Sequence, residues 1–307
     1  SGGQIDLMWI NGETFHQLKT SQLLFGPFAS RLPNYRLVDT GNAIIKYDFE
    51  QPTEGYESPW SIAQLALIYN SDKISDPPRT IPALAAWIKA NPGKFTHDAS
   101  FTGTTFLKML LYTNSGGIEQ FQGKFDSALY AKKSQELWAY LNELKPYFWR
   151  RGETYPEDVA KLHSLFANEE VYFTMSFNSG EADNKIMQGI LPKSARAYVL
   201  QEGTIANASY QAIPFNAAGK AAAMVLSNFL LSPEAQYEKF IPAVQGSNTV
   251  LDLEKLAPQW REKFRTAPGR VASVPFDTLR KYAKPEIGPG YHLRIHEDWR
   301  KYVLKAK

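Results

Sequence analysis

Residues 6–18 read DLMWINGETFHQL, Asp6 to Leu18. An apolar run from Ile5 to Ile10 stops at Asn11-Gly12, and a polar segment of helical character follows. An apolar run bounded by a turn pair reads as a buried strand. Asn-Gly is the pair that tolerates left-handed backbone at a corner. Strand, corner and helix in succession are the unit of an α/β fold, in which ligands bind outside the carboxyl ends of strands. The corner Trp9-Ile10-Asn11-Gly12-Glu13 is therefore a candidate wall of a ligand site.

Three further corners share this grammar of an apolar strand or helix flanked by small polar residues and rings. They are GYESPW (Gly55–Trp60), FTGTTF (Phe101–Phe106) and SFNSG (Ser176–Gly180). Around them the pattern alternates. Gln64–Tyr69, Val171–Phe177, Ala197–Gln201 and Ser209–Pro214 read as strands, with a shorter one at Lys94–His97. Helices are expected from Thr80 to Asn91, over Thr104–Asn114, Ser134–Leu144, Pro156–Ala167 and Gly219–Leu231, and in pieces along a proline-broken tail from Leu253. No linker separates two contiguous domains, so a chain with two lobes must cross between them more than once.

Composition narrows the function classes. The 307 residues are 44% hydrophobic and 21% charged, an ordinary globular balance. A net charge of +3, with no basic run interleaved with aromatics, gives no nucleic-acid signal. The absence of cysteine excludes thiol catalysis, zinc ribbons and disulfide frameworks. No apolar run approaches the length of a membrane span, and no signal peptide is visible.

The corners carry the candidate chemistry. Thr102-Gly103-Thr104 reads as the approach to a helix, where Thr102 or Thr104 can cap and free N–H groups can hold an anionic group. It lacks the lysine of a nucleotide-binding phosphate loop. Trp9, Tyr56, Trp60 and Trp149 could form an aromatic box, and Glu13 and Glu57 beside such rings suit a cationic or zwitterionic ligand. His292 and His296 stand four apart, as metal ligands do on a helix, but HExxH and any accompanying acid cluster are missing, so no metal or cofactor is expected. The serine-nucleophile motifs are absent as well.

Taken in order, DLMWINGETF, LLFGPF, DFEQPTEGYESPW, DASFTGTTFLKMLLY, PYFWRRGETYPE, YFTMSFN and NFLLSPEAQ resemble the YnjB-type family of bacterial ABC-transporter substrate-binding proteins over nearly the whole chain. The family usually has tyrosine and prolines before FTG, where this chain has THDAS. The resemblance implies a type II periplasmic-binding-protein fold, with two α/β lobes joined by a hinge and a ligand cleft between them. Lobe one would hold residues 1–61 and 206–307, including the tail, and lobe two residues 62–205. Such proteins begin with a βαβ unit before the strand matching DLMWING. Either lobe one lacks that part, or the sequence omits it together with a signal or lipid anchor.

The function implied is capture of a small polar solute in the periplasm or outside the cell by a monomer that delivers it to a membrane permease. Ligand contacts would come from Trp9, Asn11, Gly12, Glu13, Tyr56, Glu57 and Trp60, and from Thr102, Gly103, Thr104, Trp149 and Asn178. A zwitterion or a thiamin-like compound would use both the anionic and the cationic features. The competing readings are a cleft hydrolase acting on a sugar or phosphate ester through carboxylates such as Glu13 and Glu57, and a ligand-sensing module.

Overall fold

The structure, a computed structural model, describes residues 2–10 and 12–305. In chain order it begins with β1 (Met8–Ile10), α1 (Gly12–Thr20), β2 (Leu24–Phe25), α2 (Ala43–Lys46), β3 (Tyr47–Asp48), β4 (Gln51–Pro52) and β5 (Glu57–Gln64). It continues with β6 (Ala66–Asn70), α3 (Ile81–Ala90), α4 (Phe101–Asn114), α5 (Ser127–Leu144), α6 (Val159–Ala167), β7 (Phe173–Ser176), α7 (Glu181–Met187) and β8 (Ala195–Tyr198). Then come β9 (Thr204–Pro214), α8 (Lys220–Leu230), α9 (Pro233–Phe240), α10 (Pro258–Arg265), α11 (Phe276–Tyr282), β10 (Ala283–Lys284) and α12 (Pro289–Trp299). Helix starts follow the capping rules. The side chains of Thr80, Asp126, Asp158 and Ser232 accept from first-turn N–H groups of α3, α5, α6 and α9.

The chain divides into two compact units. Unit 1 comprises Ser1–Ala63 and Ala206–Arg270; unit 2 comprises Gln64–Ile205 and Val271–Lys307. The tail thus belongs to unit 2 from Val271 onward, where the sequence reading placed all of it with lobe one.

In unit 1, β1 runs antiparallel to β9, with Trp9 opposite Gln211 and Ile10 opposite Tyr210, and β2 pairs with the same strand further on. Side chains alternate across a strand, so Ile10 is buried while Trp9 stands on the open face. The apolar run that reads as a buried strand is three residues of strand with one ring exposed. Two buried clusters hold the unit. One centres on Phe28, Val38, Ile213, Leu231 and Phe264, and the other on Ile10, Phe15, Leu24 and Tyr210.

In unit 2, β6 is the central strand between β7 and β8, antiparallel to both, and its ALIYN sequence is almost wholly buried. Lys94–His97 forms no strand. Its backbone groups pair with Trp149 and Tyr172, on two different segments, so no ladder develops.

The tail enters unit 2 through Asp183, whose carboxylate accepts N–H groups from Val271, Ala272 and Ser273 at 2.7–2.9 Å. Ile287, Tyr291, Ile295, Trp299 and Val303 then complete the same core as α4 and β6. Within that core Lys108 of α4 is fully buried, and its Nζ donates to Glu286 Oε1 at 2.7 Å. Burial pushes the lysine pKa down, while Glu286 favours the charged form.

Removing one member of a buried pair strands the other. Lys108→Ala should therefore destabilise by about 3–5 kcal/mol, read as a lower denaturant midpoint, and Lys108→Met with Glu286→Leu should recover most of it. Equal midpoints for the single and double variants would contradict the pairing.

Candidate functional site

The Gly12 corner of unit 1 is built around one carboxylate. Asp48, at the end of β3, is buried, and its Oδ2 accepts the Gly12 N–H at 2.6 Å. A negative charge at the first N–H of α1 meets the positive end of the helix dipole. Gly12 has φ +61°, and an added Cβ would lie 3.2 Å from the Phe49 ring. Glycine is therefore required by the corner itself. Trp9 precedes this corner and is 65% exposed. Asn11 and the side chain of Glu13, both expected at the site, lie outside the described residues.

Glu57 joins the same corner from the start of β5. Its side chain is 1% exposed, and neither carboxylate oxygen has a hydrogen-bond partner among the described residues. Burial, then the Asp48 charge, push its pKa well above the ordinary 4.5, against a smaller pull from Lys19. The sequence reading set this carboxylate against a ligand's charge, whereas the structure puts it inside unit 1. Beside it, the buried Tyr210 hydroxyl reaches the carbonyls of Ile45 at 2.9 Å and Ile44 at 3.1 Å.

The unit 1 rings are not equivalent. Tyr56 is half-buried against Gly26, with Lys19 Nζ 5.7 Å from its ring centre. Lys19 also pairs with Glu54 at 2.7 Å. Trp60 is covered by the Lys239 ammonium at 5.0 Å, and its carbonyl accepts from Gln236.

In unit 2 the FTG stretch is the first turn of α4, not the approach to it: the helix begins at Phe101. Thr102 and Thr104 are buried, and neither caps the helix. Thr104 Oγ1 instead donates to the Ser100 carbonyl at 3.0 Å and lies 3.1 Å from His296 Nδ1. The negative charge at this helix start is the protein's own, since the Asp98 carboxylate accepts both the N–H and the hydroxyl of Ser100. Gly103 has a packing reason as well. A Cβ there would fall 1.7 Å from the Asp98 carbonyl oxygen.

The third and fourth corners meet. The rings of Phe101 and Phe177 stand 5.4 Å apart, edge to face, and His292 of α12 packs 5.1 Å from Phe101. Asn178 turns its amide inward, where Oδ1 accepts the Gly180 N–H at 3.1 Å. Trp149 is held by Glu170 through Nε1 at 3.1 Å and by the Arg150 guanidinium 4.4 Å from its ring. His292 and His296 face different partners, Phe101 and Thr104.

Asp48, Lys108 and Phe101 were missed as contributors. A lone acid after an apolar stretch and a lysine inside a helix give no signal until their partners are known. Phe101 stood within a quoted motif but was not singled out as a contact.

The whole chain resembles known proteins. The model of a family described as bacterial extracellular solute-binding protein matches residues 1–263. Protein YnjB of Escherichia coli K12 is 40% identical over 301 residues, which is 97% of this chain and 75% of that protein. Solved structures share the fold. A spermidine/putrescine ABC transporter substrate-binding protein from Streptococcus pneumoniae gives a TM-score of 0.66 at 15% identity, over 98% of this chain and 85% of that one. A periplasmic thiamin binding protein gives 0.59 at 13% identity, over 98% and 79%. No helix among the described residues is long and apolar enough to cross a membrane.

Two variants test the local readings. Folding favours the neutral form of Glu57, because burial and the Asp48 charge raise its pKa above the unfolded value. It costs nothing below the ordinary 4.5 and destabilises progressively as pH rises above it. Glu57→Gln should raise the melting temperature by about 2–4 °C at pH 8 and leave it unchanged at pH 4. Gly103→Ala should lose about 1–3 kcal/mol of stability through overpacking. Unaltered thermal unfolding of that variant would contradict the Asp98 contact.

Proposed function

We infer the solute class from a premise the matches supply: the chain belongs to the bacterial extracellular solute-binding proteins. It is a substrate-binding protein of the ABC-transporter class with the type II periplasmic-binding-protein fold. Its family binds a small molecule and hands it to a membrane permease, a role that requires no catalysis. The place of action is the extracellular or periplasmic side.

The finer proposal is a small polar solute that carries a positive centre. Trp9 carries this reading. It is a large ring, 65% exposed, on the last strand turn before a corner that Asp48 and Gly12 hold rigid. An exposed indole face attracts a cation, and a fixed corner presents it with little ordering cost. Relatives of the same fold include proteins described as binding spermidine or putrescine and thiamin, all positively charged solutes. Asn11, the Gly12 backbone, Glu13 and Tyr56 are assigned as further contacts on unit 1. Trp60 and Trp149 already have cations on their faces. Trp60 is assigned to shaping the unit 1 surface around these contacts.

Native mass spectrometry of the freshly purified protein, set against its denatured mass, tests the reading. A small cationic adduct released intact on denaturation is expected. An anionic or chemically altered adduct would sink it. Trp9→Ala should weaken thiamin, used as the probe cation, by about tenfold in calorimetry. Because Trp9 is exposed, the same variant should change stability by less than about 0.5 kcal/mol. Unfolding of the variant would mean that Trp9 belongs to the core.

A further inference from the structure

Phe101 opens α4 and is 39% exposed, yet its ring is held by three groups of unit 2. Phe177 meets it at 5.4 Å and 81°. His292 lies against it at 5.1 Å and 33°. Lys108 Nζ sits 5.1 Å from the ring centre and has no access to solvent, so it touches the inner face. Single exposed apolar side chains are ordinary on a protein surface, and what sets Phe101 apart is that its ring is already held. One already fixed by its neighbours loses little further freedom when a partner stacks on it.

The surroundings point to one kind of partner. The inner face of the ring is already engaged by the Lys108 ammonium, whose charge Glu286 balances. A second ammonium on the outer face would compete for the same π-density, whereas a flat neutral ring would not. His292 adds a polar edge. Its Nδ1 is shielded from water and has no hydrogen-bond partner among the described residues. Burial, then the charges of Lys108 and His296, hold its pKa down at about 3. The imidazole is therefore neutral at working pH, so it adds no second cation beside the ring.

We propose that Phe101, backed by Phe177 and edged by His292, is a stacking platform for a planar heteroaromatic ring of the captured solute. This rests on the reading of the chain as a solute receptor and narrows the solute to one that carries a ring. An acyclic diamine would gain nothing from Phe101.

The test places 4-fluorophenylalanine at position 101 and follows its ¹⁹F resonance with three probes: thiamin, which has rings and charge; cytosine, a neutral ring; and putrescine, a charge without a ring. Calorimetry of the unlabelled protein runs alongside. Thiamin and cytosine should move the resonance and putrescine should not. Phe101→Leu should weaken thiamin about tenfold and leave putrescine unchanged. A resonance unmoved by both ring compounds at millimolar concentration overturns the platform, whatever calorimetry reads. If putrescine or thiamin still binds in that case, the cationic-solute reading stands without the platform. Movement by both rings with no difference in binding between thiamin and cytosine keeps the platform and removes the cationic reading.

Discussion

A lysine ammonium taken wholly out of water must meet a negative charge at close range, and in unit 2 that demand is met from 178 residues away along the chain. Lys108 fixes Glu286, Glu286 also accepts the Ile287 N–H at 3.0 Å, and α12 then lies along α4. From this contact follow the positions of His296 beside Thr104 and of His292 beside Phe101. The tail is thus part of the first turn of α4 in every sense but sequence. The buried ring contacts of Trp299 with His97 and Tyr155 extend the same attachment.

Unit 1 solves a comparable problem without a cation. Asp48 spends one oxygen on the Gly12 N–H at the head of α1. Glu57, held nearby in apolar surroundings, has its pKa raised by that burial and by the Asp48 charge. Two carboxylates in one interior cannot both ionise cheaply, so one serves the helix and the other is pushed toward its protonated form. The corner is stiff because a charge is committed to it. Its adjoining tryptophan can remain on the surface because Ile10 and Phe15 beneath already fill the core.

The fold was legible where local pattern and global role agree. QLALIY and VYFTMSF are continuous apolar runs between turn residues, and both lie in the three-stranded sheet of unit 2. The helix over residues 81–90 announced itself through Thr80 and Pro82. The quoted corners carried enough identity to place the chain in its family. What stayed hidden depends on contacts distant in sequence. Lys108 reads as a solvent-facing helical lysine until Glu286 is beside it. The tail, broken by prolines, shows helical pieces but not which core they complete. The start of α4 was misplaced by three residues because Thr102-Gly103-Thr104 looks like a cap, whereas Ser100 and Asp98 occupy that role in space.

The expected site residues also divide in a way that sequence could not reveal, because polar and aromatic residues at a corner can be used inward or outward. Thr104, Asn178, Trp60 and Trp149 make specific internal contacts, so a solute would have to compete with partners already in place. Gly103 is small to fit Asp98, and Glu57 faces the interior. Trp9 and Phe101 are the contrary case: large rings on rigid corners, with substantial exposed surface. Recognition by such rings needs few converging polar groups, since a stacked face is read by shape and charge distribution, and hydrogen bonds at its edge set orientation. A receptor built this way keeps its buried charges for holding the corners still. On the proposed reading it would present these rings to the solute, and selectivity would rest on the flatness and charge of the captured molecule.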